Sequence, residues 1–154
     1  MIKRQTCRDY GRPTGPAGMY SFFGFFADPA EGLAARCAAL RAGSQLLQFN
    51  DPTPLLGVRF DPTVYVPADE DITDAVSTQI VALSRDYPAV RSMALRTECF
   101  GGFCSNWGFV ARAGDIIAHE EGHGALRRLV AAFDVDLGLA EFFHPLKRDI
   151  VWSA

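Results

Sequence analysis

The hydrophobic pattern along the chain changes period several times, and each change marks an element. Tyr20–Ala27 is apolar at almost every position, with Phe22, Phe23, Phe25 and Phe26 on both sides of an extended backbone. That predicts a strand covered on both faces. Asp28-Pro29 then reads as a helix start, with Asp at the N-cap and Pro in the first turn. Leu33, Cys37 and Leu40 line one face of that helix, and Gly43 ends it. Leu46–Phe49 and Leu55–Phe60 read as short strands on either side of the Asp51-Pro52-Thr53-Pro54 turn. Acidic residues at 69–74 open a second helix, Val76, Ile80, Leu83 and Ser84 follow at helical spacing, and Tyr87-Pro88 stops it.

Val90–Phe100 and Phe103–Arg112 flank Gly101-Gly102, which supplies the positive φ angles of a two-residue hairpin turn. Ala113-Gly114-Asp115 is another turn, so Ile116–Glu121 reads as one more strand. Ala125–Phe133 forms a third helix, with Leu126, Leu129, Val130 and Phe133 on one stripe. A short apolar turn at Leu137–Phe143 and a last strand at Ile150–Trp152 complete the pattern. The predicted fold is α+β: a split βαβ, ferredoxin-like arrangement, with a mixed or antiparallel sheet and helices on one face. A hairpin and a C-terminal helix are appended to it. Residues 1–18, rich in Gly and Pro, read as an irregular N-terminal arm, and residues 19–154 as a single α+β domain. An aromatic strand with helices on one side must be covered on the other, by the arm or by a second copy in a homodimer.

Composition narrows the function classes. The chain has 154 residues, 49% hydrophobic and 21% charged, so it can fold on its own core without a metal or a disulfide scaffold. Its net charge of −3 and pI near 5.5 argue against general binding to nucleic acid or anionic membranes, and leave room for a basic protein partner. No apolar run is long enough to span a bilayer. Lys3, Arg4, Arg8 and Arg12 before Met19–Ala27 imitate a signal peptide, but Phe-rich residues, Gly24 and the lack of a small-residue cleavage site point to a cytoplasmic chain. Cys37, within an Ala/Leu-rich helix, reads as a small buried apolar residue.

Residues His119-Glu120-Glu121-Gly122-His123 match HExxH. On a helix, His at i and i+4 share one face and can both reach a Zn²⁺, with the Glu between them as general base on the bound water. The string resembles the metal-binding helix of zincin peptidases. That resemblance would make His119 and His123 ligands and Glu120 the base, with Glu141 or His144 as third ligand. Three features oppose it. Glu121 stands where that family carries an apolar residue. Gly122 and Gly124 would each cost a helix interior up to about 1 kcal/mol. The turn at 113–115 favours a strand, on which both histidines are exposed and share no metal.

Thr97-Glu98-Cys99-Phe100-Gly101-Gly102-Phe103-Cys104, followed by Trp107–Gly114 and Gly124–Leu129, resembles a hairpin and helix of small bacterial immunity-type proteins. The resemblance covers residues 95–140. Cys99 and Cys104 depart from it, standing where an aromatic and a small polar residue are commoner. It implies a binding protein that blocks a specific toxin without catalysis. The two cysteines face each other across the turn at a distance a disulfide can span, but a reducing compartment favours free thiols. Asp69, Glu70, Asp71 and Asp74 read as first-turn acids that favour the helix dipole, or as a docking face for a basic partner. The chain is therefore read as a non-catalytic binding protein, with no cofactor, that occludes a protein partner. A zinc-dependent hydrolase is the alternative.

Overall fold

The computed structural model describes residues 20–41, 43–50, 53–60, 70–100, 103–135, 144–146, 150 and 152; for residues 20, 21, 70–75, 100, 103 and 144 it describes the backbone alone. The strands are β1 (Tyr20–Ala27), β2 (Gln45–Phe49), β3 (Leu55–Arg59), β4 (Ser92–Phe100), β5 (Phe103–Arg112) and β6 (Asp115–Glu121). The helices are α1 (Leu33–Ala38), α2 (Glu70–Asp86) and α3 (Ala125–Ala132), with a 3-10 turn at His144–Leu146. The fold is α+β, as the periodicity predicts.

The strands form one six-stranded sheet in the order β2-β3-β1-β4-β5-β6. Every neighbouring pair is antiparallel. β1 and β2, joined through α1, are thus parallel to each other with β3 inserted between them. β4 to β6 extend the sheet as a meander, and the turn between β5 and β6 is legible in the sequence as a Gly-containing dipeptide. Ala113 and Gly114 adopt positive φ angles of 52° and 85°, the signature of a type I′ turn, whose twist matches the strands it joins.

Side chains alternate between the two faces of the sheet, and each face builds its own core. Phe22 and Phe26 of β1 face the same way as Met93 and Leu95 of β4, Val110 of β5, and Leu126, Leu129 and Phe133 of α3. Phe23 and Phe25 face the other way, against Leu33 and Cys37 of α1 and Val76, Ile80 and Leu83 of α2. The helices therefore lie on both faces of the sheet. This corrects the expectation of one covered face: the four phenylalanines of β1 are balanced, two to each side, and need a lid on each. The chain lays helices over both faces of β1, and the predicted arm at residues 1–18 lies outside the described residues. Trp152 closes the α3 face at its far end. Its ring packs on Phe22, Phe26 and Phe49 at 5.7, 6.4 and 5.5 Å. It lies over Gly57, where a Cβ would come within 2.8 Å of it. Ile150 and Trp152 are not in a strand, contrary to the predicted 150–152 strand. Packing of the indole into the core has taken precedence over pairing. The predicted turn at 137–143 lies outside the described residues.

The expected N-cap at Asp28 is also corrected. α1 begins five residues later, at Leu33, after Gly32 with φ 76° and no side-chain cap. Asp28 is engaged elsewhere. Its carboxylate accepts hydrogen bonds from the Arg91 backbone N–H (2.9 Å), Nε (3.0 Å) and Nη2 (2.9 Å). A charge-assisted fork of this kind outcompetes a cap worth about 1 kcal/mol.

Candidate functional site

The features that carry chemistry gather on β4, β5 and β6 and on the helices that flank them. The HExxH residues are the first test. Asp115–Glu121 is a strand, paired with β5 through Trp107↔Glu121, Gly108↔Glu120, Phe109↔His119 and Val110↔Ala118. Adjacent strand residues point to opposite faces. His119 therefore lies on the α2 face, where its ring meets Trp107 edge-on at 5.5 Å and 75°. Glu120 lies on the α3 face, where its carboxylate accepts a hydrogen bond from Arg128 Nε at 2.7 Å. Arg128 Nη1 also donates to the His123 carbonyl at 3.0 Å. Gly122 and Gly124, with φ of 85° and 75°, break the chain between β6 and α3.

The zincin geometry needs one helical turn carrying both imidazoles and the base. That turn does not form, and His119 and Glu120 stand on opposite sides of the sheet. The helical turn that the zinc reading of His119, Glu120 and His123 calls for is thus replaced by a strand at 115–121, which the cost of two glycines in a helix and the I′ turn at 113–114 favour. His144 sits in the 3-10 turn, and Glu141 lies outside the described residues. Among the described residues, no group of three or more His, Cys, Asp or Glu side chains is placed to hold a metal ion.

On the α2 face, one row crosses four strands as Phe23, Arg96, Trp107 and Glu121. Arg96 donates to Glu98 from Nη2 at 2.9 Å and from Nε at 3.3 Å. The row places a guanidinium between two aromatic side chains, with acids beside it and His119 one register step away. It offers hydrogen-bonding and stacking surface, and it contains no thiol or hydroxyl set against a base. Cys37 of α1, the free cysteine among the described residues, is buried, and burial pushes its thiol up to about 12 from 9.0. A thiol held protonated this way is a core residue and not a nucleophile. Sequence reasoning missed the Arg96 and Trp107 row; period-two alternation in β4 and β5, followed residue by residue, is the signal that would have found it.

On the α3 face, Cys99 and Cys104 are directly opposed in the β4–β5 register and form a disulfide, with Cα atoms 4.0 Å apart. This corrects the expectation of two free thiols: the register sets the two positions directly opposite each other, close enough for the sulfurs to bond. Beside the bridge, buried Thr97 donates to Asn106 Oδ1 at 2.8 Å, which satisfies a polar pair under α3.

The acidic group divides in two. Asp69 lies outside the described residues. Glu70, Asp71 and Asp74 occupy the first turns of α2. The other end of α2 is fixed by Ser84, whose Oγ accepts from Gly114 N at 3.0 Å and donates to the Val81 carbonyl at 2.7 Å. From that anchor α2, about 25 Å long, packs on the same sheet face through Val76, Ile80 and Leu83. The edge strand β6 exposes Ile116 and Ile117, at its turn end, at 52% and 54%.

No family model matches the chain, and no curated protein and no solved structure matches it at a significant level. No described helix is long and apolar enough to cross a membrane.

Proposed function

We propose that the protein is a non-catalytic binding protein of the immunity or accessory type, which occludes a basic protein partner. We further assign β1 to β4, α1 and α2 to a ferredoxin-like split βαβ unit, extended by the β5–β6 hairpin and α3. The inserted position of β3 between β1 and β2 supports that assignment. The observation that carries the functional reading is the strand at 115–121. It spreads His119 and Glu120 over two faces of a sheet, ties Glu120 to Arg128, and leaves Asp115, Ile116, Ile117 and Glu121 exposed on the outer strand. Glu70, Asp71 and Asp74 at the start of α2, with Asp69 before them, would meet the partner's basic residues. Complementarity of this kind acts mainly on the association rate.

The product of the reading frame immediately upstream is the natural partner to test. It is expected to bind the purified chain, and Asp71→Lys is expected to slow association several-fold at low ionic strength, with little change in dissociation. An on-rate that Asp71→Lys leaves unchanged removes the acidic docking face.

A further inference from the structure

β6 ends the sheet, and part of its backbone faces outward. Gly122 N donates to the Asn106 carbonyl at 3.0 Å, which fixes that pair as hydrogen-bonded. Alternation along an antiparallel ladder then makes Gly108↔Glu120 and Val110↔Ala118 bonded pairs, and Trp107↔Glu121 and Phe109↔His119 non-bonded ones. The N–H and C=O groups of His119 and Glu121 therefore point away from β5. Below them, a bulge sets Ile116 and Ile117 against the single residue Ala111. Both isoleucines stand in solvent, and they are the exposed large hydrophobics among the described residues. Sheet edges are commonly blunted by Lys, by Pro or by a bulge. β6 has the bulge and carries neither Lys nor Pro.

We propose that this edge takes up an extended segment of the protein partner as a seventh strand, and that the segment is apolar at its centre and basic toward its ends. The proposal rests on the reading of the chain as a binding protein and names what its partner presents. The occupant follows from charge. β6 carries Asp115, Glu120 and Glu121 and no Lys or Arg, and Glu120 alone is drawn away, to Arg128 on the α3 face. A second copy of the chain would fit poorly in registers that pair both outward-facing residues, His119 and Glu121, within β6. With His119 opposite Ile117 of the copy, an antiparallel register sets Asp115 opposite Glu121 twice. With His119 opposite itself, Ile117 falls against Glu121, and Ala118 against Glu120. Like charges directly opposed destabilise a strand pair. A strand with Val, Ile or Thr opposite the isoleucines and Lys or Arg opposite Asp115 and Glu121 removes both conflicts. The backbone groups supply affinity and the side chains supply selection, as in other strand-addition interfaces.

The test uses the isolated protein and two synthetic peptides of about nine residues. One has Lys at each end and Val and Thr between; its twin has Glu in place of Lys. The basic peptide, at about millimolar concentration, is expected to shift the amide resonances of Ile116, Ile117, His119 and Glu121 and to slow exchange of the His119 and Glu121 amide protons. The acidic twin is expected to bind at least about tenfold more weakly. His119→Pro deletes an outward N–H while sparing the ladder to β5, and is expected to abolish the slowing while the Ala118 and Glu120 amides stay protected. Should His119→Pro unfold the chain, Ile116→Lys with Ile117→Lys repels the basic peptide and is expected to lose the same shifts. The proposal is overturned if the basic peptide leaves the β6 amides unshifted, if both peptides act alike, or if those amides become protected on concentrating the protein alone, which would assign the edge to a second copy. The partner is absent from this measurement, so its failure would leave the acidic docking face to its own on-rate test.

Discussion

Arg91 is gripped from three sides. Asp28 takes its Nε and Nη2, the Phe133 carbonyl takes its Nη1 at 2.7 Å, and the Phe133 ring lies 5.1 Å from its guanidinium carbon. One side chain thus ties the end of β1 and the start of β4 to the end of α3. Burial on its own pushes the Asp28 carboxyl up, but the hydrogen bonds and charge of Arg91 outweigh it and leave the carboxyl below its ordinary 3.8. A depressed carboxylate contributes stability that is present above the unfolded-state value and is lost as pH falls through the folded-state value. Asp28→Asn is therefore expected to cost about 1–3 kcal/mol at neutral pH. That deficit should shrink as urea titrations are stepped below about pH 4. A deficit that stays constant down to about pH 2 would show that charge is not what Arg91 recognises. Asp28 was visible in the sequence as a functional polar residue but not in this role. A cap can be read from neighbouring residues, whereas a partner 63 positions away cannot.

At the scale of elements, the β4–β5 hairpin pairs without a break from Ser92↔Ala111 to Phe100↔Phe103. Its two-residue Gly-Gly connection sets the register, and the register sets Cys99 against Cys104. A bridge closing so short a loop restrains the unfolded chain only modestly, about 2 kcal/mol by loop entropy. Reduction is expected to raise the mass by about two hydrogens and to lower the urea midpoint by that modest amount without unfolding the domain. An unchanged mass on reduction would show that the thiols are free. The opposition of the two cysteines was legible, because hairpin register follows from turn length. Their bonding was not, because it depends on sulfur geometry as well as spacing. α1 was legible in its apolar spacing at Leu33 and Cys37 but not in its start. The segment at 115–121 was legible as a strand through the Ala113-Gly114 turn, against a motif that pulled the other way.

At the scale of the molecule, the order of elements could be read from period changes, but the placement of α3 could not. Leu126, Leu129 and Phe133 announce a buried stripe without saying which face of the sheet buries it; four phenylalanines divided evenly in β1 held that information. Two covered faces leave the sheet edges, and β6 carries the acids and the isoleucines. The proposed function turns on this: His119, Glu120 and Glu121 belong to an edge strand, and Gly122 and His123 follow it in a turn, where the motif's chemistry would need a helix. The most direct measurement is the pattern of through-space proton contacts in solution. A non-bonded antiparallel pair brings its Cα atoms to about 4.5 Å, so strong Hα–Hα cross-peaks are expected between Phe109 and His119 and between Trp107 and Glu121. Strong successive amide–amide cross-peaks from His119 to His123, with contacts three residues apart and no cross-strand signal, would place both imidazoles on a helix and contradict the account.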